Sequence, residues 1–197
     1  SVKRLQSKED IDRYVDGIRE KLMKTLDGCD GVQIPFYAGS DVLEPFLPDC
    51  ETARRDVFVT ARTPNRTAPE LQDLLTGSRL VHMAAADRIS RYAENLTGKF
   101  GYARVGVAAS AGAPESLKNL RGKYTNLFLL ADGLDYPSAN LKNVSLAFDR
   151  LGRGGAYCAG NMVTRAWARA DQADPIEAAQ AEVRRQNKGL QRYVTFL

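Results

Sequence analysis

Cysteine and histidine are scarce in this sequence. Its 197 residues include three cysteines (Cys29, Cys50 and Cys158) and a single histidine, His82. The odd number of cysteines and the absence of a CxxC pair argue against a disulfide framework and favour a reducing compartment. A zinc site would need further cysteine or carboxylate ligands from scattered positions. The sequence therefore predicts no metal site and no cofactor.

Long apolar runs are also absent. No stretch approaches the roughly 20 consecutive apolar residues that span a bilayer, and the charged start, SVKRL, does not resemble a signal peptide. We therefore expect no membrane span, and a location in the cytoplasm or another reducing intracellular compartment. The 44% apolar and 26% charged residues are ordinary for a globular protein, and the length predicts one domain or two small ones.

Familiar catalytic motifs are missing as well. The sequence contains no GxSxG elbow, no HExxH motif, and no kinase or deaminase signature. Cys158 could act as a nucleophile if the fold brought His82 beside it, but the two lie 76 positions apart and no local signature joins them. A structural histidine is the simpler interpretation, and we predict no catalytic residue.

Charge is distributed unevenly along the chain. Residues 1–50 carry 7 lysines and arginines against 10 acidic residues, whereas residues 51–197 carry 21 against 14. The net charge is +4. This asymmetry fits an acidic partner for the later part, docking between oppositely charged subunits, or an ordinary solvated surface.

The first predicted element is an amphipathic helix capped by Ser7. Apolar residues recur on one face at helical spacing, among them Tyr14 and Ile18. The glycine-rich run DGCDG at 27–31 ends it. This face could pack on a neighbouring subunit, so Tyr14 and Ile18 are predicted interface residues.

Strands and helices alternate from residue 56 onward. Compact apolar runs at 56–61, 103–109 and 126–131 predict strands, as do a short run at 32–37 and a final one at 193–196. Helical patterns lie near 68, at 78–96, 114–120, 138–151 and 162–170, and from 174 to 189. The alternation predicts an α/β fold whose mostly parallel sheet has helices on both faces. The expected organisation is an N-terminal helix and arm at 1–50 and an α/β domain at 51–197, or one domain throughout.

Two places could bind a phosphate or a nucleotide. Asp132 and Asp135 follow an apolar strand, where an open parallel sheet binds its ligands, although Asp-Gly is also an ordinary turn. Arg153, Gly154 and Gly155 begin a glycine-dense segment that could expose backbone N–H groups to a phosphate. The spacing matches no phosphate-binding motif, and close packing of a connection against the sheet explains the glycines equally.

Two clusters of arginines mark candidate interfaces. Arg165 and Arg169 share one helix face, and Arg184 and Arg185 lie on the next helix. Nucleic acid would bind such faces, but no RNA- or DNA-binding motif accompanies them. Contact with another protein subunit, homo- or hetero-oligomeric, is at least as good an explanation because arginine is enriched in interfaces.

The segments GYARVGV at 101–107 and LKNLRGKYTNLF at 117–128 follow each other in the order helix, strand, short helix, strand. This order resembles the α/β core of contractile-tail sheath subunits, and GNMVTRA at 160–166 is similar to their later packing helix. The resemblance covers about residues 56–197 and implies a structural protein that assembles with other copies.

Two classes of function follow from these observations. The first is a non-enzymatic structural subunit of a larger assembly, which fits the missing catalytic residues and the uneven charge. The alternative is a nucleotide- or phosphate-binding α/β enzyme that uses Asp132, Asp135 and the loop around Arg153.

Overall fold

The computed structural model of this protein describes residue 9 and residues 28–52, 55–169 and 174–194. The predicted N-terminal helix, with Tyr14 and Ile18, lies outside these residues. The strands are β1 (Gly31–Pro35), β2 (Asp56–Arg62), β3 (Leu75–Thr76), β4 (Arg79–Leu80), β5 (Val105–Ser110), β6 (Leu129–Asp132) and β7 (Gly155–Tyr157). The α-helices are α1 (Leu47–Glu51), α2 (Pro69–Gln72), α3 (Val81–Ala93), α4 (Pro114–Lys123), α5 (Leu141–Val144), α6 (Asn161–Thr164) and α7 (Pro175–Leu190).

Five of the strands form one sheet in the order β1-β2-β5-β6-β7, and every pairing in it is parallel. The central strands β2 and β5 are buried over most of their length, as expected for the apolar runs of a covered parallel sheet. The predicted α/β fold with a mostly parallel sheet is confirmed.

The helices pack against one face of this sheet. Alternate strand residues point to that face and join one core cluster with Ile89 of α3 and with Leu117 and Leu120 of α4. The strand residues in this cluster are Ile34, Val57, Val59, Ala61, Val105, Val107, Ala109, Leu129 and Ala131. Leu43 and Cys50 belong to the same cluster, so residues 31–51 share the sheet and core of the later strands.

The opposite face of the sheet lacks such a cover. Phe58, Phe128 and Leu130 point to this side and are only half-buried, and none of them belongs to the core cluster or packs against it. Gln33 on β1 is exposed. The sequence predicted helices on both faces of the sheet. In the described part of the chain, the helices that cover the sheet lie on one face.

Some predicted boundaries were wrong for local reasons. The helix expected over 78–96 begins only at Val81, because Gly77, at φ +63°, turns the chain into the antiparallel hairpin β3–β4. The glycine-rich segment after residue 152 contains β7, which three half-buried residues form. Tyr193 and Val194, expected to begin a last strand, lie in a turn after α7, and the rest of that run is outside the described residues. In the described residues, no helix is long and apolar enough to cross a membrane.

Candidate functional site

A polar network lies at the carboxyl end of the sheet, on its uncovered face. The amide nitrogen of Gln33, Nε2, donates to Oδ2 of Asp132 at 3.0 Å and lies 3.0 Å from Oγ1 of Thr60. Gln33 belongs to β1, Thr60 to β2 and Asp132 to β6. The end of the sheet that binds ligands in parallel α/β proteins therefore presents an amide, a hydroxyl and a carboxylate together.

Two glycines permit the loops to close around this network. Gly133 directly follows Asp132 at φ +72°, and a Cβ added there would lie 2.4 Å from the Pro64 side chain. Its backbone N–H donates to Oδ1 of Asp132 at 2.7 Å. At Gly112, after β5, an added Cβ would lie 2.2 Å from Oγ of Ser138. Gly133 requires glycine because its backbone is left-handed and Pro64 lies against it, whereas Gly112 brings its loop close to the Ser138 side chain.

Asp135 lies in the next turn of the same loop and is exposed. Its carboxylate faces the start of α6, where Nδ2 of Asn161 donates to Oδ2 at 3.5 Å. An added Cβ at Gly160 would come within 3.0 Å of the same oxygen. Asp132 thus ends β6 and Asp135 lies in the loop after it, both at the carboxyl end of the sheet, and their role in binding a ligand stays a prediction.

Cys158 follows β7 on the same side as Asp132. Burial, together with the Asp132 carboxylate, which is hydrogen-bonded to the thiol, raises the pKa of the Cys158 thiol to about 11. The thiol is therefore protonated at neutral pH, which makes it a weak nucleophile.

His82 is occupied elsewhere, at the start of α3. Its Nδ1 lies 2.9 Å from the backbone oxygen of Gln72 and 3.1 Å from Oδ1 of Asp73. Asp73 also receives two hydrogen bonds from the buried Arg62, at 2.9 and 3.0 Å. The contacts of His82 are therefore structural, and its imidazole is not hydrogen-bonded to the Cys158 thiol.

The other predicted phosphate-binding residues lie at the opposite, amino end of the sheet. Gly154, at φ +70°, packs so closely on Tyr102 that an added Cβ would lie 2.2 Å from Cε1 of that ring. The backbone N–H of Arg153 donates to Asp149, and the backbone oxygen of Gly154 accepts from Arg121. Gly155 is the first residue of β7. The structure therefore does not bring Arg153, Gly154 and Gly155 together with Asp132 and Asp135.

A cavity of about 890 Å³ opens at this amino end, on the uncovered face. The rings of Phe58 and Phe128 line it, with centroids 5.7 Å apart, and Tyr102 lies 6.0 Å from Phe128. Lys99, Arg104 and Arg153 also line it.

The four arginines predicted at interfaces are exposed on or beside the last two helices. Arg165 and Arg169 follow α6, where Arg169 donates to the backbone oxygen of Met162. Arg184 and Arg185 lie on α7, and Arg185 pairs with Glu182 at 2.7 Å. Their role in an interface stays a prediction.

Gln33 and Thr60 were not predicted from the sequence. Each lies within a strand, where the available signal was a polar residue in an apolar run. Gln33 joins Thr60 and Asp132, which lie 27 and 99 positions away from it in the sequence. The network offers hydrogen-bond donors and acceptors to hydroxyl and amide groups of a ligand. In the part of the chain that the structure describes, no group of three or more histidine, cysteine or acidic residues could hold a metal ion.

The fold and the position of this network define a class of protein. The five parallel strands with helices on one side resemble TIM-barrel-like α/β structures, in which ligands bind at the carboxyl ends of the strands. The structure of Plasmodium berghei orotidine 5'-monophosphate decarboxylase superposes with a TM-score of 0.65 at 18% identity, over 91% of this chain and 54% of that one. That of the Leishmania donovani OMP decarboxylase superposes with a TM-score of 0.60 at 27% identity, over 80% and 56%.

Sequence relatives carry the same name. The chain is 28% identical over 120 residues to orotidine 5'-phosphate decarboxylase of Caldicellulosiruptor bescii, across 61% of this chain and 39% of the relative. It is 28% identical over 171 residues to that of Rhodopirellula baltica, across 82% and 57%. The chain thus spans 39% and 57% of the lengths of these two relatives. Separately, residues 1–35 match a family described as BrxC C-terminal alpha-beta domain.

These matches correct the first interpretation of function. The relatives and the superposed structures are decarboxylases, so the prediction of a non-enzymatic structural subunit of an assembly is wrong. The likeness to contractile-tail sheath subunits is wrong for the same reason. That likeness rested on the order of strands and helices, which unrelated α/β proteins share.

Proposed function

We propose that this chain forms the pyrimidine-nucleotide-binding wall of an orotidine 5'-phosphate decarboxylase. The proposal follows the alternative drawn from the sequence, a nucleotide-binding α/β enzyme. One observation supports it: a polar network of Gln33, Thr60 and Asp132 lies at the carboxyl end of the parallel sheet. The proteins that this chain resembles in sequence and fold bear the name of this enzyme.

The chemistry of the network suits the sugar and base of a nucleotide. Asp132 and Asp135 offer carboxylate oxygens to the hydroxyl groups of a ribose, and the structure records no ion pair between either of them and a lysine or arginine of the described residues. Gln33 and Thr60 offer an amide and a hydroxyl to the polar edge of a pyrimidine ring.

The three free cysteines support a reducing compartment for this protein.

Ligand-induced thermal stabilisation tests the proposal. We expect UMP and orotidine 5'-phosphate to raise the Tm of the 197-residue chain, because a ligand that binds only the folded state stabilises it. The gain is about 2.7 kcal/mol at a concentration 100 times the Kd. Asp132→Asn should reduce the shift, since a neutral amide accepts weaker hydrogen bonds from ribose hydroxyls than a carboxylate does.

Asp30→Asn is the matched control. Asp30 is exposed and lies immediately before β1, at the amino end of the sheet, so this change should leave the shift intact. Equal shifts for the wild-type and Asp132→Asn chains would refute the assignment of the site. No shift with either nucleotide at millimolar concentration would refute the function itself.

A further inference from the structure

Another cavity, of about 520 Å³, lies between α3 and the segment that follows β1. The residues that line it are Phe36, Ser40, Arg88, Arg91 and Tyr92. The two aromatic residues among them pack against the core cluster, which lies on the helix side of the sheet. The sheet therefore separates this cavity from the polar network of the candidate site, which lies on the opposite face.

One wall of this cavity is a face of α3. Arg88 is three positions before Arg91 and four before Tyr92, and residues at these spacings are neighbours on a helix surface. Both arginines are exposed, whereas the tyrosine is half-buried. Ile89 and Ala93, on another face of the same helix, are completely buried in the core. The packing of the helix therefore fixes which residues face the cavity.

The other wall is a tight turn after β1. The backbone N–H of Gly39, a residue at φ +114°, donates to the backbone oxygen of Phe36 at 2.9 Å. This turn brings Ser40 back beside the phenylalanine. Leu43, which is completely buried, donates its backbone N–H to the backbone oxygen of Ser40 at 2.9 Å and ties the turn to the core. The wall thus presents a hydroxyl and an aromatic ring at fixed positions.

The two arginines of this cavity have no acidic partner. Neither Arg88 nor Arg91 forms an ion pair with a carboxylate of the described residues. Asp87 is next to Arg88 in the sequence but belongs to a different cluster. Its carboxylate accepts hydrogen bonds from Arg79, Lys123 and Tyr124. A dianion between the two guanidinium groups would offset their mutual repulsion and accept charge-assisted hydrogen bonds from both.

We propose that this cavity binds a small organic phosphate monoester. The phosphate lies between Arg88 and Arg91 and accepts a hydrogen bond from the Ser40 hydroxyl, while the organic group lies against the rings of Phe36 and Tyr92. Planar guanidinium groups match the spacing of phosphate oxygens. The volume of the cavity falls within the roughly 300–1,000 Å³ of small-molecule sites. The proposal is independent of nucleotide binding at the candidate site.

Phenyl phosphate is a suitable probe, because inorganic phosphate and phenol represent its two parts. We expect calorimetric titration of the full 197-residue chain to give a Kd for phenyl phosphate that is at least tenfold lower than the Kd for either part. Raising the NaCl concentration from about 0.05 M to about 0.5 M should weaken the binding of phenyl phosphate, because salt screens exposed charges.

Substitutions separate the contribution of the arginines from that of the aromatic rings. Arg88→Gln and Arg91→Gln should each raise the Kd of phenyl phosphate about fivefold or more, since each removes hydrogen bonds to a charged group. Arg192→Gln is the matched control. It changes an exposed arginine in the turn after α7 and should leave the Kd unchanged. Tyr92→Leu should weaken the binding of phenyl phosphate but not that of inorganic phosphate, and circular dichroism checks that each variant is folded.

Four results would overturn the proposal. Equal Kd values for the wild-type, Arg88→Gln and Arg91→Gln chains would place the ligand elsewhere. Loss of phenyl phosphate binding in Asp132→Asn would mean that the probe occupies the candidate site. A Kd for phenyl phosphate no lower than that for inorganic phosphate would exclude a role of the rings. No binding of phenyl phosphate at millimolar concentration would exclude the cavity as a phosphate site. Phenyl phosphate can bind while UMP produces no shift in Tm, so the two proposals fail separately.

Discussion

Gln33 on β1 donates a hydrogen bond to Asp132 on β6 across two intervening strands. Side chains of non-adjacent strands meet in this way only where a sheet is curved and where the strands between carry small residues. β5, which lies beneath the contact, contributes Gly106 and Ala108 to the face of the sheet opposite the helices. This hydrogen bond therefore shows that the sheet is curved, and it also positions the Asp132 carboxylate of the candidate site.

Loss of the Gln33 amide should cost stability. We expect Gln33→Ala to lower the free energy of unfolding by about 1 kcal/mol, the usual net contribution of a hydrogen bond, since the site is exposed and water can replace the donor in part. Urea unfolding measures the difference. Gln180→Ala, at an exposed position of α7, is the control and should be neutral or slightly stabilising, because alanine favours helix. Equal effects of the two changes would contradict the importance of the bond.

Alanine substitution at two glycines should have opposite effects. Gly154→Ala combines a left-handed backbone with a clash against the Tyr102 ring, so we expect a loss of about 2 kcal/mol or more in the free energy of unfolding. Gly122→Ala lies in α4 with nothing within 4 Å of the new Cβ and should gain about 0.5–1 kcal/mol. Chemical denaturation of both variants measures these differences in the free energy of unfolding. A Gly154→Ala protein as stable as the wild type would contradict the close packing of Gly154 against Tyr102.

The alkylation of Cys158 should depend on Asp132. With its pKa raised to about 11 by burial and by the neighbouring carboxylate, the thiol should react slowly with iodoacetamide at pH 7 and faster as the pH rises towards 11. Asp132→Asn removes a negative charge that opposes the thiolate, so the pKa should fall and the rate profile should shift to lower pH.

The rate of alkylation is measured in a Cys29→Ser chain across pH 7–11, with Asp135→Asn as the comparison. Asp135 also raises the pKa of Cys158, but less than Asp132 does. We therefore expect a smaller shift for Asp135→Asn. An unchanged profile in Asp132→Asn would mean that burial alone controls the thiol.

The sequence predicted the class of fold because its signals are local. Apolar runs at 56–61 and 126–131 and the spacing between them indicate buried parallel strands, and β2 and β6 confirm them. The prediction of function was wrong because the order of elements is shared by many α/β proteins, and no short motif distinguishes them. β7 was missed because its three residues lie among glycines that look like a loop.

The sequence by itself determined the central strands β2, β5 and β6, their parallel arrangement and the position of Asp132 and Asp135 at the end of β6, since each depends on neighbouring residues and their period. Only the tertiary structure decided that Gln33 meets both Thr60 and Asp132, and that Arg153 and Gly154 lie at the other end of the sheet. The physical reason is curvature. The bend of a sheet depends on the packing of all its strands and helices together, so it determines which distant side chains meet without leaving a local pattern in the sequence.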